Sequence, residues 1–107
     1  MLTGNLFRNI PAPQLQEHVD TLLETPGVRL ERIVSHGHTT RGDTWYDQQR
    51  DEWVVLLRGR ARLVIEGQDA PVIMTPGDYV LLPAHCRHRV AWTDPETDTV
   101  WLALHVR

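Results

Sequence analysis

The chain contains no lysine; all eleven of its basic residues are arginine. Schiff-base chemistry needs a lysine amine, so it is excluded, pyridoxal phosphate attachment included. The single cysteine, Cys86, cannot close an internal disulfide, and a disulfide-stapled secreted scaffold is excluded with it. Long apolar runs are also missing. The longest, Trp53–Leu57 and Val100–Leu104, are five residues each, against the roughly 20 that a membrane-crossing helix needs. Met1-Leu2-Thr3-Gly4-Asn5-Leu6 lacks a basic stretch followed by an apolar one, so no signal peptide is expected and the expected location is the cytoplasm. The net charge is −3 and the arginines are scattered. No basic stripe tracks a phosphate backbone, so neither nucleic acid nor a membrane is expected as partner.

What remains is one 107-residue domain with turn signals at short intervals. Residues 1–13 read as an irregular arm ending in Pro11-Ala12-Pro13. From Gln14 to Glu24, Leu15, Val19, Leu22 and Leu23 fall at helical spacing, and Pro26-Gly27 stops the segment; this spacing predicts a short helix covering one edge of the molecule. Residues 1–27 are thus expected to be an arm and helix, and 28–107 a single β-domain. From Val28 the period becomes two. Strands are expected at Val28–Ile33, Glu52–Arg58, Ala61–Glu66, Pro71–Thr75, Tyr79–Leu82, Cys86–Trp92 and Thr99–Val106. Between several of them lie Gly59-Arg60, Gly67-Gln68-Asp69, Pro76-Gly77-Asp78, Pro83-Ala84 and Thr93–Glu96. Many short strands separated by turns indicate an all-β sandwich or barrel.

Alternation assigns faces. In Cys86–Trp92 the two arginines, Arg87 and Arg89, share the wet face, which sends Cys86, His88, Val90 and Trp92 inward. In Ala61–Glu66, Leu63 and Ile65 point in. Glu52–Arg58 is apolar on both faces, as in a strand buried on two sides, against a second protomer or the helix.

These residues resemble the cupin family. Gly77, five residues, Pro83, then His85 in a glycine slot and His88 in a metal-ligand slot follow the family's second motif, with Trp92 replacing its final Asn. Glu52, six residues, Gly59 follow the end of its first motif. The resemblance covers residues 28 to 106 and implies a double-stranded β-helix, or jelly-roll barrel, forming a homodimer. Metal-binding cupins carry His-x-His three or four residues before the glutamate; here that place reads Trp45-Tyr46-Asp47-Gln48. The implied metal set is therefore remodelled: Glu52, His88, and Asp47 or Gln48, according to register. A separate pair, His36-Gly37-His38, is separated from Glu52 by thirteen residues; two imidazoles at i and i+2 could chelate if that loop folds back, and the competing reading is a pair of loop histidines at a strand end.

A glutamate aimed into a barrel must be paired, protonated or bound to a cation. Mixed nitrogen and oxygen donors suit zinc, nickel, manganese or iron(II). Such a centre would serve a metal-assisted isomerase or lyase, and less well a dioxygenase, which wants a second histidine. A metal-free site would use Glu52 or Asp47 as base and His88 as acid. Tyr46, Trp45, His85 and Trp92 are candidates for contact with a small organic substrate, whether sugar-like, phenolic or carboxylate. For the tryptophans the competing role is core packing; for His85 it is an exposed turn. A metal-free binding module without catalysis is the alternative, because the fold hosts many functions.

Overall fold

The computed structural model describes residues 1–107 and is all-β, without a helix. Eight strands follow in order: β1 (His18–Thr25), β2 (Val28–Ser35), β3 (Asp51–Arg58), β4 (Ala61–Ile65), β5 (Val72–Met74), β6 (Tyr79–Leu82), β7 (His88–Thr93) and β8 (Thr99–Val106). They form two antiparallel sheets. One has five strands in the order β1-β2-β8-β3-β6, the other three in the order β5-β4-β7. The facing sides enclose a core of Val54, Leu56, Ala61, Leu63, Met74, Leu82, Trp101 and Ala103.

The helix expected over 14–24 is not there; β1 occupies most of it. Pro26-Gly27 turns the chain so that Thr25 pairs with Val28, and β1 runs back along β2 as an edge strand. Satisfying the open ladder of β2 overrides the local period. The helical spacing has its own explanation. Val19 pairs with Ile33 on the inner side, and Leu23 pairs with Leu30 on the outer side. Residues four apart would share a face in a regular strand, but a bulge at Leu22 switches sides between them.

Bulges also correct two face assignments. In β4–β7, Leu63 pairs with Val90 but Arg62 pairs with Trp92, leaving Ala91 as the extra residue. Trp92 therefore turns outward, under the Arg62 guanidinium at 5.3 Å, and Thr93 takes the buried place. In β3, a bulge at Leu57 swings Arg58 out beside Val100, where it lies 4.5 Å over the Phe7 ring.

The N-terminal arm is strapped to the outer face by Arg32, which is only 6% exposed. Its guanidinium donates to the carbonyls of Leu6 and Arg8 and to the carboxylate of Asp20. Asp20 is held below the ordinary carboxylate range: burial raises it, but hydrogen bonds and charge from Arg32 and His18 outweigh that.

Two turns explain motif residues. Gly59 closes the β3–β4 turn at φ +89°, hard against the start of β8. His85 stands where the family motif carries its second glycine, and it too is left-handed, at φ 64°. This conformation costs an L-residue about 1–2 kcal/mol. His85 is held there by its N–H, which donates to the Gln48 carbonyl at 2.7 Å, and by Nδ1, which donates to Asp47 at 2.9 Å.

Candidate functional site

The five-stranded sheet sets the floor of the site through its register. His105 of β8 lies between Arg29 of β2 and Glu52 of β3, so three ionisable side chains form one inward row. One row along, Glu31 faces Ala103, whose small side chain leaves space above the sheet. From the opposite sheet His88 faces in, paired with Ile65. These groups line a cavity of about 210 Å³ with Tyr46, Gln48, Glu17 and an apolar wall that includes Val54, Leu63, Val90 and Trp101. That is below the roughly 300–1,000 Å³ of drug-sized sites, so it suits a small molecule.

The segment before β3 supplies Tyr46 and Gln48. Tyr46 exchanges two backbone hydrogen bonds with His88, at 2.8 and 3.1 Å, and its ring stacks on the imidazole with centroids 5.5 Å apart. Alternation then places Tyr46 and Gln48 on the cavity side and Asp47 on the other. Of the two alternatives, Gln48 lines the cavity, and Asp47 does not, being half-exposed and paired with His85. His85 is outside as well. Trp45 is outside, beneath Arg87 and Arg89, and Trp92 is outside through the β7 bulge. The chamber's aromatic wall is Tyr46 and Trp101. His36 donates to Asp98, and His38 donates to the Gln14 carbonyl; neither lines this cavity.

Glu52 and His88 form the centre. Glu52 is 8% exposed and His88 6%, and Oε1 of Glu52 lies 3.8 Å from Nε2 of His88. The His88 Nδ1–H donates to the Cys86 carbonyl at 2.8 Å. In the neutral ring this leaves a lone pair on Nε2, directed at Glu52. Burial pushes the Glu52 carboxyl above its ordinary value; His105 and His88 pull it back, and Glu31 pushes it further up. Burial also raises the Tyr46 phenol, with Glu17 adding to the effect.

Three members of the site, Arg29, Glu31 and Glu17, were not singled out from sequence as site residues. Alternation carries a signal for His105, which shares parity with Trp101 and Ala103. Its Nε2–H donates to Glu31 at 2.9 Å. The Arg29 Nε is buried 3.3 Å from Glu31 in an ion pair, but is not aligned to donate a hydrogen bond. Glu17 is fixed by the Ser35 hydroxyl, which in turn accepts from the Trp101 indole.

The donor set bears directly on the metal expectation. No three side chains among His, Cys, Asp and Glu converge on one point, whereas a catalytic zinc takes three protein ligands. Tyr46 and Gln48 stand where the family motif places its imidazoles, and Arg29 brings a fixed positive charge among the carboxylates. Glu52 and His88 are two good donors, but the residues present do not form a ready-made transition-metal centre.

Comparison with known proteins agrees with this architecture. The chain is 47% identical to a putative mannose-6-phosphate isomerase from Ralstonia eutropha JMP134, covering 99% of this chain and 98% of that one, with a TM-score of 0.96. A cupin superfamily protein from Desulfitobacterium hafniense DCB-2 has 18% identity and a TM-score of 0.73, over 91% and 83% of the two chains. An RmlC-like cupin from Desulfovibrio desulfuricans has 17% identity and a TM-score of 0.74, over 99% and 96%. These last two share the fold. No curated protein matches. The Cupin domain family matches residues 33–105, a span running from β2 to β8. The two half-motifs lie inside it, on the strands that build the cavity, and the chain belongs to the cupin family.

Proposed function

We propose that the chamber binds a small hydroxyl-bearing organic molecule, sugar-like in character, and moves a proton on it. The observation that carries this is the buried Glu52–His88 pair at 3.8 Å inside a small cavity. The similarity to the Ralstonia protein supports a sugar as substrate class.

In this reading Glu52, as carboxylate, takes a proton from the carbon beside a carbonyl. The electron pair of the broken C–H bond moves toward the carbonyl oxygen, and Glu52, now the acid, returns the proton to the adjacent carbon. Burial brings its pKa nearer to neutrality, which suits a group that both accepts and returns a proton. His88 presents Nε2 to accept the proton of the hydroxyl on the carbon that loses its hydrogen and to deliver it to the former carbonyl oxygen, so that the carbonyl moves to that carbon and the ring returns to neutrality, held by the Cys86 carbonyl. Tyr46, kept protonated by its raised pKa, adds a donor in the same wall. Lyase chemistry would begin with the same first proton transfer.

The test is hydrogen exchange. Aldoses and ketoses incubated with the protein in D2O are expected to gain carbon-bound deuterium, followed by NMR, with Glu52→Gln abolishing the exchange. Saturable binding without exchange would instead support a binding module. Elemental analysis of untagged protein purified without chelators runs beside it. Near-stoichiometric metal in the parent, lost in both Glu52→Ala and His88→Ala, would favour the metal-assisted form of the reading, with those two residues as donors.

We further propose that a second copy covers the outer face of the five-stranded sheet. Leu23, Leu30, Leu104, Trp53 and Leu81 pair in succession across all five strands as one apolar row. Leu81 and Tyr79 are 61% and 65% exposed; such patches mark association surfaces. Light scattering after size exclusion is expected to give a dimer for the parent and a monomer for Leu81→Glu. A monomeric parent at tens of micromolar would count against it.

A further inference from the structure

The chamber does not end at its own mouth. A second, outer groove of about 740 Å³ shares Glu17, Val19, Tyr46 and Val90 with it. Glu17, Val19, Tyr46 and Val90 thus form the boundary between the two spaces, and a ligand at Glu52 long enough to pass that boundary would meet the groove. The two spaces differ in charge. Both spaces share the Glu17 carboxylate; the inner chamber adds two more, Glu31 and Glu52, and its guanidinium, Arg29, is engaged with Glu31. The outer groove is lined by Arg41 and the hydroxyl-bearing Thr39, Thr40 and Thr44. Arg41 takes part in none of the chain's ion pairs. Both ring nitrogens of His38 are engaged within the chain: Nδ1 accepts from the His36 N–H, and Nε2–H donates to the Gln14 carbonyl.

We infer that the outer groove is an oxyanion subsite, with Arg41 and the neighbouring threonine hydroxyls holding the phosphate or carboxylate end of a substrate whose neutral polyol end enters the chamber. The inference rests on the proposed function and narrows its substrate class to sugar-like acids. The carboxylates inside repel an anionic end, and the unpaired guanidinium outside attracts one. Orientation follows from that difference alone: neutral end at Glu52 and His88, anionic end at Arg41.

The experiment is calorimetric titration of the full chain with a hexose, the corresponding hexose 6-monophosphate and the corresponding hexuronate. Alongside it, inorganic phosphate is titrated while the Arg41 Nε–H resonance is followed by NMR. The parent is expected to bind at least one of the two anionic sugars roughly tenfold more tightly than the hexose, as a charge-assisted contact would give. Which one it prefers separates phosphate from carboxylate. Arg41→Ala is expected to erase the preference and leave hexose affinity unchanged. Arg41→Lys keeps the charge without the fork and should retain part of it. Arg41 is on the surface, so circular dichroism should show both variants folded. Hexose binding with no anion preference, or a preference that survives in Arg41→Ala, overturns the subsite and leaves the proposed function standing. No sugar binding, with phosphate still shifting Arg41, overturns the proposed function and keeps the anion site. No response to any of these ligands overturns both.

Discussion

Replacing Gly59 by alanine is expected to destabilise the fold by about 2–5 kcal/mol, the left-handed cost of 1–2 plus that of forcing atoms into a packed turn. A Cβ there would lie 2.4 Å from the Thr99 hydroxyl oxygen, 2.7 Å from the Thr99 Cα and 2.8 Å from the Asp98 carbonyl oxygen. Two of those contacts are backbone, at the point where β8 enters the sheet between β2 and β3, so no rotamer change relieves them. For a domain whose total stability is of order 5–15 kcal/mol the loss is a large fraction, and the melting temperature should fall by roughly 10 °C or more. Gly67 is the matched control. Its φ is +87°, and a Cβ there meets nothing within 4 Å. Gly67→Ala should show the conformational cost alone, about 1–2 kcal/mol. Urea unfolding of the two variants separates strain from contact. Equal losses would refute the claim that β8 needs the absent side chain at Gly59.

For the proposed proton transfer, Glu52→Gln is expected to lower the rate by roughly 10²–10⁴-fold, the range for removing a general acid or base, while making the protein more stable at neutral pH. Both effects come from burial. The folded-state pKa of Glu52 lies above its ordinary value of 4.5 because desolvation disfavours the charged form, more than His105 and His88 favour it. The folded state therefore binds the proton more tightly than the unfolded state. Well below 4.5 both states hold the proton, and the group carries no ionisation penalty. As pH rises through the window between 4.5 and the raised value, the unfolded state ionises first and stability is lost. Above that window the penalty is complete. A glutamine does not ionise, so the variant should gain on the parent as pH rises and be nearly equal to it at low pH. Urea midpoints at pH 4 and pH 8 test this. A parent that gains on Glu52→Gln between those values would mean that the pairing with His88 and His105 outweighs desolvation, and would reverse the assigned direction.

Much of the centre of the site was legible in the chain. His88 stands in an alternating segment whose arginines, Arg87 and Arg89, mark the wet face; Glu52 stands on a strand apolar on both faces, and its place in the site follows from the cupin resemblance. Their spacings to Gly59 and Gly77 carried the cupin resemblance, and the left-handed φ of Gly59 and Gly77 is the physical content of those glycines. Trp92 was misplaced because one extra residue, Ala91, reverses every face beyond it, and a bulge leaves no mark in alternation. The helical spacing over 14–24 misleads because its apolar residues serve two faces of an edge strand, Val19 the inner and, past the bulge at Leu22, Leu23 the outer.

The amino-acid sequence by itself determined the all-β architecture, the turns, and the inward aim of His88, because alternation and turn chemistry are local properties of neighbouring residues. The tertiary structure decided which strands lie side by side, and so everything that depends on register. It put His105 between Arg29 and Glu52, set Gln48 rather than Asp47 in the cavity wall, and laid the groove beside Arg41 against the inner chamber. Register is fixed by hydrogen-bond ladders between residues as far apart in the chain as Arg29 and His105, and a one-residue slip in such a ladder exchanges the two faces of a strand.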